Sequence, residues 1–307
     1  MTPSKWIGHL AVLATNIVFG INIPIAKSVL STEGVNGNVM SICRFGGAMI
    51  LFWIASLFTK RERVPMKDMK VIFVASIFGI IMNQWVFVTG LAYASPLDLS
   101  IILTVGPILT LILAYFFMKE PISNIKAIGV GMGTVGAVLL ALTSNSGADN
   151  ATASNNLLGI ILCFLSSLAY ALYLTLFKNI IDRYSPITLM KWMFTFATVI
   201  ALPFCIGDLI ASPLVQGGTT ELYVNTFYVV AMATFFTYLL IPVAQKRIRP
   251  TVISMYIYVQ PVIAGFLSIS MGMDKWSWVR LPIIILIFVG VYLVTRSKSR
   301  EDLSQGT

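Results

Sequence analysis

The chain has 307 residues, of which 57% are hydrophobic and only 11% are charged. Soluble domains carry about 25% charged residues, so this composition excludes an ordinary globular core and predicts a polytopic membrane protein. The net charge of +9 does not indicate a nucleic-acid partner, because the cations lie in short loops between apolar runs. The lipid bilayer is the expected partner, and no nucleic acid is expected to bind.

The apolar runs predict ten membrane-spanning helices. A helix needs about 20 apolar residues to cross the hydrocarbon core. Runs that meet this requirement cover residues 6–29, 37–58, 70–94, 97–117, 124–144, 157–181, 186–207, 222–245, 250–272 and 276–296. Lys and Arg concentrate in the loops on one side of this arrangement. The positive-inside rule therefore predicts a multi-pass protein of the cytoplasmic (inner) membrane with both termini in the cytoplasm.

One unit of sequence occurs twice, 154 positions apart. Each copy carries two prolines and then an acid at the same spacing: Pro96, Pro107 and Glu120 in the first, and Pro250, Pro261 and Asp274 in the second. Ten spans in two units give five spans each, and an odd number of spans inserts the second unit upside down. The predicted fold class is therefore all-α integral membrane, with ten transmembrane helices as two inverted five-helix repeats.

The same duplication predicts the domain organisation. The first five-helix repeat is expected over residues 1–144 and the second over 157–298, with an external linker at 145–156 and a cytoplasmic tail at 299–307. The linker is polar, short and poor in apolar residues, as an exposed connection should be.

Further residues belong to a known pattern: Asn16, Phe19-Gly20, Lys27, Arg44-Phe45, Ala114, Gly129 and Gly136 in the first half, and Gly159, Tyr170, Lys178, Trp192 and Gly290 in the second. With the proline–proline–acid spacing, they make the whole chain resemble the EamA branch of the drug/metabolite transporter superfamily, as two EamA-type halves. Two positions depart from the pattern: Asp274 stands where Glu is usual, and Phe19 stands where a Trp is often found. The resemblance implies movement of small metabolites, often amino acids, by alternating access, but no single substrate.

Span 3 carries Asn83, Gln84 and Trp85 at its midpoint. Two amides at that depth are costly if they face lipid, so they are expected to meet partners or water. The repeat offset places Thr237 and Tyr238 of span 8 opposite them. This group is the strongest predicted substrate site, because the amides suit a zwitterion or an amide and the rings supply flat walls. An interhelical hydrogen-bond clamp is the alternative.

Four further residues are predicted to contact the substrate. Thr104 in span 4 and Tyr258 in span 9 lie on the helix faces that carry the mid-span prolines. A proline frees a backbone carbonyl on its face, so these faces are predicted to line the path; packing between helices is the alternative. Asn16 in span 1 and Tyr170 in span 6 are predicted to add a polar and an aromatic contact.

Five residues are predicted to serve structure or gating: Arg44, Pro107, Pro261, Glu120 and Asp274. The two prolines are expected to give broken, flexible helices that assist rocking of the halves. Glu120 is expected at the cytoplasmic surface and Asp274 at the outer one. Arg44 lies about two turns inside span 2, where a charge is by default a functional-site hypothesis. A structural cation bonded to backbone carbonyls is an equal alternative.

Two other features allow two interpretations each. Gly129, Gly133 and Gly136 form a small-residue stripe in span 5, which predicts a close helix contact within the chain or between chains. Lys27 and Lys178 lie near opposite membrane surfaces. Anchoring by snorkelling is the simpler interpretation, and attraction of anionic groups at each mouth is the alternative.

Motifs for other functions are missing from the sequence. There is no G-x-x-x-x-G-K-[ST] loop, so ATP is not expected to drive transport, and no catalytic or metal-ligand constellation points to an enzyme. The prediction is a secondary transporter, without cofactor or metal, for a small molecule such as an amino acid or a related compound. Export is among the directions left open. A facilitative channel-like pore is the alternative function, and both a monomer and a homodimer are compatible with the sequence.

Overall fold

The computed structural model of the chain describes residues 3–93, 102–103, 105–143, 153–270, 278 and 280–297. Over these ranges the backbone is helical apart from short turns and connections, and no strand occurs. Within the same ranges, six helices are long and apolar enough to cross a membrane, and four shorter apolar helices accompany them. The described part of the chain is therefore helical without strands, and the protein is a multi-pass membrane protein.

We number the helices in chain order. The first half contains α1 (Pro3–Leu30), α2 (Gly37–Leu57), α3 (Met66–Ser76, continued by Ile77–Trp85 and Val86–Tyr93), α4 (Val105–Met118) and α5 (Asn124–Thr143). The second half contains α6 (Ala153–Leu176), the short α7 (Lys178–Arg183), α8 (Pro186–Ala211), the short α9 (Pro213–Gln216), α10 (Thr220–Val230, Ala231–Phe236 and Thr237–Gln245), α11 (Pro250–Met255, Tyr256–Tyr258 and Val259–Ser270) and α12 (Arg280–Arg296).

Polar caps explain why α2 and α8 begin where the apolar runs begin. The side chain of Asn36 accepts a hydrogen bond from the backbone N–H of Val39 at the start of α2. Ser185 accepts from the backbone N–H of Thr188 at the start of α8, and Pro186 occupies the first position of that helix. Asn and Ser caps satisfy donors that the first helical turn leaves free, and proline at the first position needs no such donor.

One helix ends earlier than the hydropathy predicts. The apolar run 157–181 predicts a single helix, but α6 ends at Leu176 and α7 begins at Lys178. The Nζ of Lys178 donates to the backbone oxygen of Gln245 at 2.7 Å and also binds Asp182 at 2.9 Å. The break gives this charged group polar partners, while the two isoleucines of α7 stay buried. Lys178 is thus a hydrogen-bonded cation at a helix junction.

Helices of the two halves pack on one another in matched combinations. α2 packs along α8, and α5 packs along α12. α1 packs on α10 and α11, while α6 packs on α3 and α4. One hydrophobic cluster includes both Phe45 of α2 and Ile287 of α12. The two halves therefore share a core.

Glycines allow α5 and α12 to approach closely. A Cβ on Gly129 would lie 2.8 Å from the Gly290 backbone oxygen, and a Cβ on Gly290 would lie 2.6 Å from the Gly129 backbone oxygen. Farther along, Gly136 faces Ile283 and Ile287 of α12. The small-residue stripe of span 5 is thus a helix contact within the chain, where small residues let two backbones meet.

Three helices change their hydrogen-bonding pattern near the middle of the bundle. The π-type segments Ile77–Trp85 of α3 and Ala231–Phe236 of α10 begin 154 positions apart. In α11 the helix tightens instead, because Tyr256–Tyr258 forms a 3₁₀ turn shortly before Pro261. A proline ring and its missing N–H disturb the preceding turn. Such changes of helix type are frequent at functional sites and hinges.

Loops at the Lys- and Arg-rich end are tied together by carboxylates. Asp68 of α3 accepts a hydrogen bond from the Arg183 guanidinium at 2.6 Å. Glu62 accepts from the backbone N–H of Ser185 at 3.0 Å and from its hydroxyl at 2.8 Å. Burial by itself raises the pKa of Glu62, but hydrogen bonds from Thr188 and Ser185 outweigh it and hold the pKa below its ordinary value. Its contribution to stability is therefore present above the unfolded-state pKa and is lost as the pH falls through the folded-state pKa.

Candidate functional site

A cavity lined by both polar and apolar side chains lies among α1, α2, α3, α4, α6, α10 and α11. The space open to the centre of a water-sized sphere is about 120 Å³, whereas one water needs about 10–15 Å³ on this measure. The cavity is therefore large enough for several waters or for a small polar solute. The polar residues among the described ones that line it are Thr15, Asn16, Asn22, Arg44, Asn83, Gln84, Ser166, Ser167, Tyr170, Tyr238 and Gln260.

The predicted meeting of span 3 with span 8 is present at this cavity. The Nδ2 of Asn83 donates to the Tyr238 hydroxyl at 3.2 Å, and that hydroxyl donates to the backbone oxygen of Gly79 at 3.3 Å. Ser166 of α6 donates to the backbone oxygen of Asn83 at 2.6 Å. Asn83 and Tyr238 therefore form an interhelical clamp, and both side chains also line the cavity.

Gln84 is buried beside this clamp without a hydrogen-bond partner. Neither its Nε2 nor its Oε1 has a partner among the described residues. The Tyr238 hydroxyl lies near the amide, but the hydrogen bonds that it makes are to the Nδ2 of Asn83 and to the backbone oxygen of Gly79. A buried amide without partners costs free energy, and such groups are rare in folded proteins. Gln84 is therefore available to a ligand or to water in the cavity.

Arg44 places a positive charge in the wall of the cavity. Its Nε donates to the Thr234 hydroxyl at 2.9 Å, and its Nη2 lies 3.5 Å from the backbone oxygen of Ala233. The side chain is buried, with 5% of the residue exposed. Arg44 therefore has features of a structural cation, because its guanidinium is bonded to α10. It also has a feature of a functional-site residue, because it borders the cavity.

Asn16 and Gln260 join α1 to α11 across the cavity wall. The Oδ1 of Asn16 accepts from the Nε2 of Gln260 at 2.8 Å, while the Nδ2 of Asn16 donates to the backbone oxygen of Val12 at 2.8 Å. Gln260 and Asn22 are polar residues that the sequence interpretation did not select. The sequence feature that could have indicated Gln260 as a cavity residue is its position next to the mid-span Pro261.

Tyr170 supplies an aromatic part of the wall. Its ring lies 6.4 Å from the ring of Tyr173, with an angle of 27° between the planes. The residue lines the cavity together with Ser167, one turn before it on α6. The arrangement offers a flat apolar surface beside polar groups.

Trp85 and Tyr258 lie outside the cavity, which corrects the prediction that they line it. The Nε1 of Trp85 donates to the Oδ1 of Asn38 at 3.0 Å. The Tyr258 hydroxyl bonds the Thr134 hydroxyl at 2.7 Å, and its ring packs on Gly133 of α5. Both residues belong to helix segments with altered hydrogen bonding, where the angle between successive side chains differs from that of an α-helix. Tyr258 was assigned by its helix face and Trp85 by its position next to Gln84, and in the structure Tyr258 bonds α5 and Trp85 bonds α2.

The residues predicted for gating have different outcomes. Thr104, predicted to line the path, and Asp274 lie outside the described residues. Pro107 is buried in α4 next to the cavity-lining Gly106. Glu120 is buried and forms an ion pair of 2.7 Å with Lys126.

Charge in the cavity wall is limited to one residue in the described ranges. Arg44 is a member of the lining set, and no Asp or Glu is. Across the same ranges, no three His, Cys, Asp or Glu side chains are grouped as metal ligands would be. The site therefore combines amides, hydroxyls and one guanidinium with aromatic rings and aliphatic side chains such as Ile23, Ile241 and Ile253.

Several known proteins resemble the chain in sequence. An uncharacterized transporter of Archaeoglobus fulgidus is 26% identical over 298 residues, which cover 96% of this chain and 99% of that protein. The uncharacterized transporter YyaM of Bacillus subtilis is 25% identical and covers 93% of this chain and 90% of its own length. A WAT1-related protein of Arabidopsis thaliana is 27% identical over 50% of this chain and 45% of its own length.

A solved crystal structure and a family match extend these similarities. The crystal structure has a TM-score of 0.75 at 17% identity and covers 96% of this chain and 97% of its own. At that identity, the likeness supports the fold alone. The EamA-like transporter family matches the chain twice, over residues 6–142 and 157–296. Because these two matches account for almost the whole length, the chain belongs to the EamA-like transporter family of the drug/metabolite transporter superfamily.

Proposed function

We propose that this chain is a secondary transporter that moves a small metabolite, an amino acid or a related compound, across the cytoplasmic membrane by alternating access. The proposed scaffold is ten transmembrane helices in two inverted repeats, over residues 1–144 and 157–298, with a linker at 145–156 and a tail at 299–307. The central cavity carries the proposal, because helices of both halves contribute to its wall. No enzymatic activity and no cofactor are part of the proposal.

Residues that line the cavity occur in pairs related by the sequence repeat. Gln84 and Tyr238, Leu103 and Ile257, and Gly106 and Gln260 are each 154 positions apart, while Thr15 and Ser166, and Asn16 and Ser167, are 151 apart. An axis of pseudo-symmetry that passes through a cavity produces such a wall. The pairing supports a binding site between two inverted halves.

Helix packing supports the same arrangement. In the sequence repeat, α1 corresponds to α6, α2 to α8, α4 to α11 and α5 to α12. The contact of α1 with α11 therefore corresponds to the contact of α6 with α4, and both are present. The α2–α8 and α5–α12 contacts each correspond to themselves. At the level of residues, the contact of Gly129 with Gly290 corresponds to the contact of Ile283 with Gly136. Self-complementary contacts of this kind are expected around a two-fold axis.

A buried acid–base pair supports a gate at one end of the cavity. Glu120 binds Lys126 at 2.7 Å and accepts from the Thr251 hydroxyl at 3.1 Å, which ties the α4–α5 connection to α11. The residues 154 positions later are Asp274 and Arg280, so the sequence repeats the acid–base pair. If the halves are inverted, Glu120 with Lys126 and Asp274 with Arg280 belong to opposite membrane surfaces. Their proposed role is to close the two ends of the cavity alternately. Bending near Pro107 and Pro261 would permit it.

Gln84 is the residue whose loss is expected to separate binding from folding. Gln84→Ala is expected to reduce flux about tenfold without lowering the amount of protein in the membrane, because neither polar atom of this side chain bonds within the fold. The measurement is the initial rate of uptake or efflux per amount of protein. Gln216→Ala, at an exposed position of α9, is the matched control. Unchanged flux in both Gln84→Ala and Tyr238→Phe would reject this binding site.

Counterflow in vesicles tests the transporter against the channel-like alternative. Purified protein is placed in vesicles loaded with an unlabelled amino acid, and the labelled form is added outside. A carrier with alternating access exchanges one for the other, so labelled solute accumulates transiently above its equilibrium level and the rate saturates. Simple equilibration at a rate proportional to concentration would replace this proposal with a channel-like pore.

Topology in the membrane is tested with single cysteines in a variant that lacks Cys43, Cys163 and Cys205. Lys119→Cys and Lys275→Cys occupy the neighbours of the two repeat-related acids. A membrane-impermeant thiol reagent is expected to label the cysteine at 275 in intact cells and the cysteine at 119 only after permeabilisation. Labelling of both from the same side would contradict the inverted repeat.

A further inference from the structure

We infer that the cavity binds its solute through a carboxylate and that Arg44 is the residue that receives this group. The inference rests on the proposed transport function and specifies the chemistry of the substrate. It uses the charge of the cavity wall, the free donors of Arg44 and the amide of Gln84, rather than the similarity to other transporters.

Arg44 has donor capacity that the fold does not use. A guanidinium carries five N–H donors, but Nε and Nη2 account for the hydrogen bonds that Arg44 makes, to Thr234 and at 3.5 Å to Ala233. The ion pairs formed by the described residues do not include Arg44. Both bonded acceptors are neutral. A buried guanidinium without an anion is expensive, so an anionic ligand gains more here than at a solvated surface.

The sign and size of the charge favour a monoanionic group. In the described part of the wall, Arg44 is the charged residue and no carboxylate accompanies it, so a cationic solute would meet an uncompensated like charge. A phosphate monoester carries nearly two negative charges at pH 7, and one guanidinium compensates only one of them. A carboxylate carries one charge and matches the planar donors of the guanidinium.

The remaining polar groups suit the neutral or amino part of such a solute. The Oε1 of Gln84 and the Oδ1 of Asn22 are buried acceptors without partners in the described ranges. Each is able to accept from an N–H of the solute, and Tyr170 provides an aromatic surface beside them. A molecule with a carboxylate and a separate N–H donor therefore satisfies more of the cavity than a simple carboxylate does.

The experiment compares carboxylates with derivatives in which only that group is changed. Thermal unfolding of the purified full-length protein is measured with each protein amino acid and with small mono- and dicarboxylates at millimolar concentrations. Every compound that raises the unfolding temperature is compared with its methyl ester, its amide, the amine that lacks the carboxylate, and a phosphate monoester of similar size. The carboxylate is expected to bind about 10- to 100-fold more tightly than these derivatives, because they lose a charge-assisted hydrogen bond or carry a second charge.

Variants assign the effect to Arg44. Arg44→Gln is expected to bind the carboxylate about 10- to 100-fold more weakly and to lose the preference for acid over ester. Arg63→Gln, at an exposed loop position, is the control and is expected to bind as the wild type does. Arg44→Lys keeps the charge and is expected to retain the preference with weaker binding, so it carries the test if Arg44→Gln does not fold.

Four outcomes overturn the inference: equal binding of acid and ester, tighter binding of the phosphate monoester, undiminished preference in Arg44→Gln, and no stabilisation by any carboxylate tested. The transport proposal fails separately. Counterflow of a neutral derivative would support the transport proposal and contradict recognition through a carboxylate. Binding of a carboxylate without counterflow would support the recognition and contradict the transport proposal.

Discussion

Replacing Lys126 with Met is expected to lower the free energy of unfolding by about 3–5 kcal/mol. The Lys126 side chain is fully buried, and its Nζ donates to Glu120 at 2.7 Å and to the backbone oxygen of Pro121 at 3.3 Å. Without it, the Glu120 carboxylate stays buried, and the Thr251 hydroxyl is its remaining side-chain donor among the described residues. The cost comes chiefly from the unpaired buried charge, because a buried pair contributes little net free energy while intact.

A double-mutant cycle distinguishes this cause from a loss of packing. Glu120→Gln combined with Lys126→Met is expected to be more stable than Lys126→Met alone, because no charge then remains buried. Thermal or denaturant unfolding of the purified proteins in detergent is the measurement. Lys70→Met, at an exposed position of α3, is the control and is expected to change stability little. Additive losses in the double variant would show that the charges do not interact.

Replacing Gly290 with Ala is expected to destabilise the protein by about 1–3 kcal/mol, and replacement with Val by more. A Cβ at this position would lie 2.6 Å from the backbone oxygen of Gly129 and 2.8 Å from the backbone nitrogen of Gly133. Backbone atoms cannot rotate away as a flexible side chain can, so α5 and α12 would have to separate. Each methyl group added at this contact therefore costs more than an ordinary change of a surface residue.

A glycine on the facing helix, α5, provides the control for this prediction. Nothing lies within 4 Å of a Cβ built on Gly131, so Gly131→Ala is expected to be neutral or slightly stabilising, since Ala is the better helix former. Gly129→Ala is expected to resemble Gly290→Ala, because it meets the Gly290 backbone oxygen at 2.8 Å. Unfolding in detergent ranks the variants. Equal stabilities of Gly290→Ala and Gly131→Ala would contradict the close contact.

Local properties of the chain were sufficient to predict the class of protein and most helices. The length of each apolar run is a short-range feature, so hydropathy locates most of the helices. The contact of Asn83 with Tyr238 was also predictable, because the repeat offset relates Gln84 to Tyr238. Both results depend on patterns that are visible in the sequence: the first on runs of adjacent residues, and the second on a repeat of 154 positions.

Only the tertiary structure decided which side chains share the cavity. Its helix face assigned Tyr258 to the cavity and its position next to Gln84 assigned Trp85, but in the structure Tyr258 bonds Thr134 of α5 and Trp85 bonds Asn38 of α2. Gln260 and Asn22 line it instead, although their sequence context is apolar. The sequence by itself determined that polar groups would be buried somewhere in a duplicated bundle of membrane helices. Which of them meet depends on the rotation and close approach of distant helices, and this is set by packing across the whole bundle rather than by local pattern.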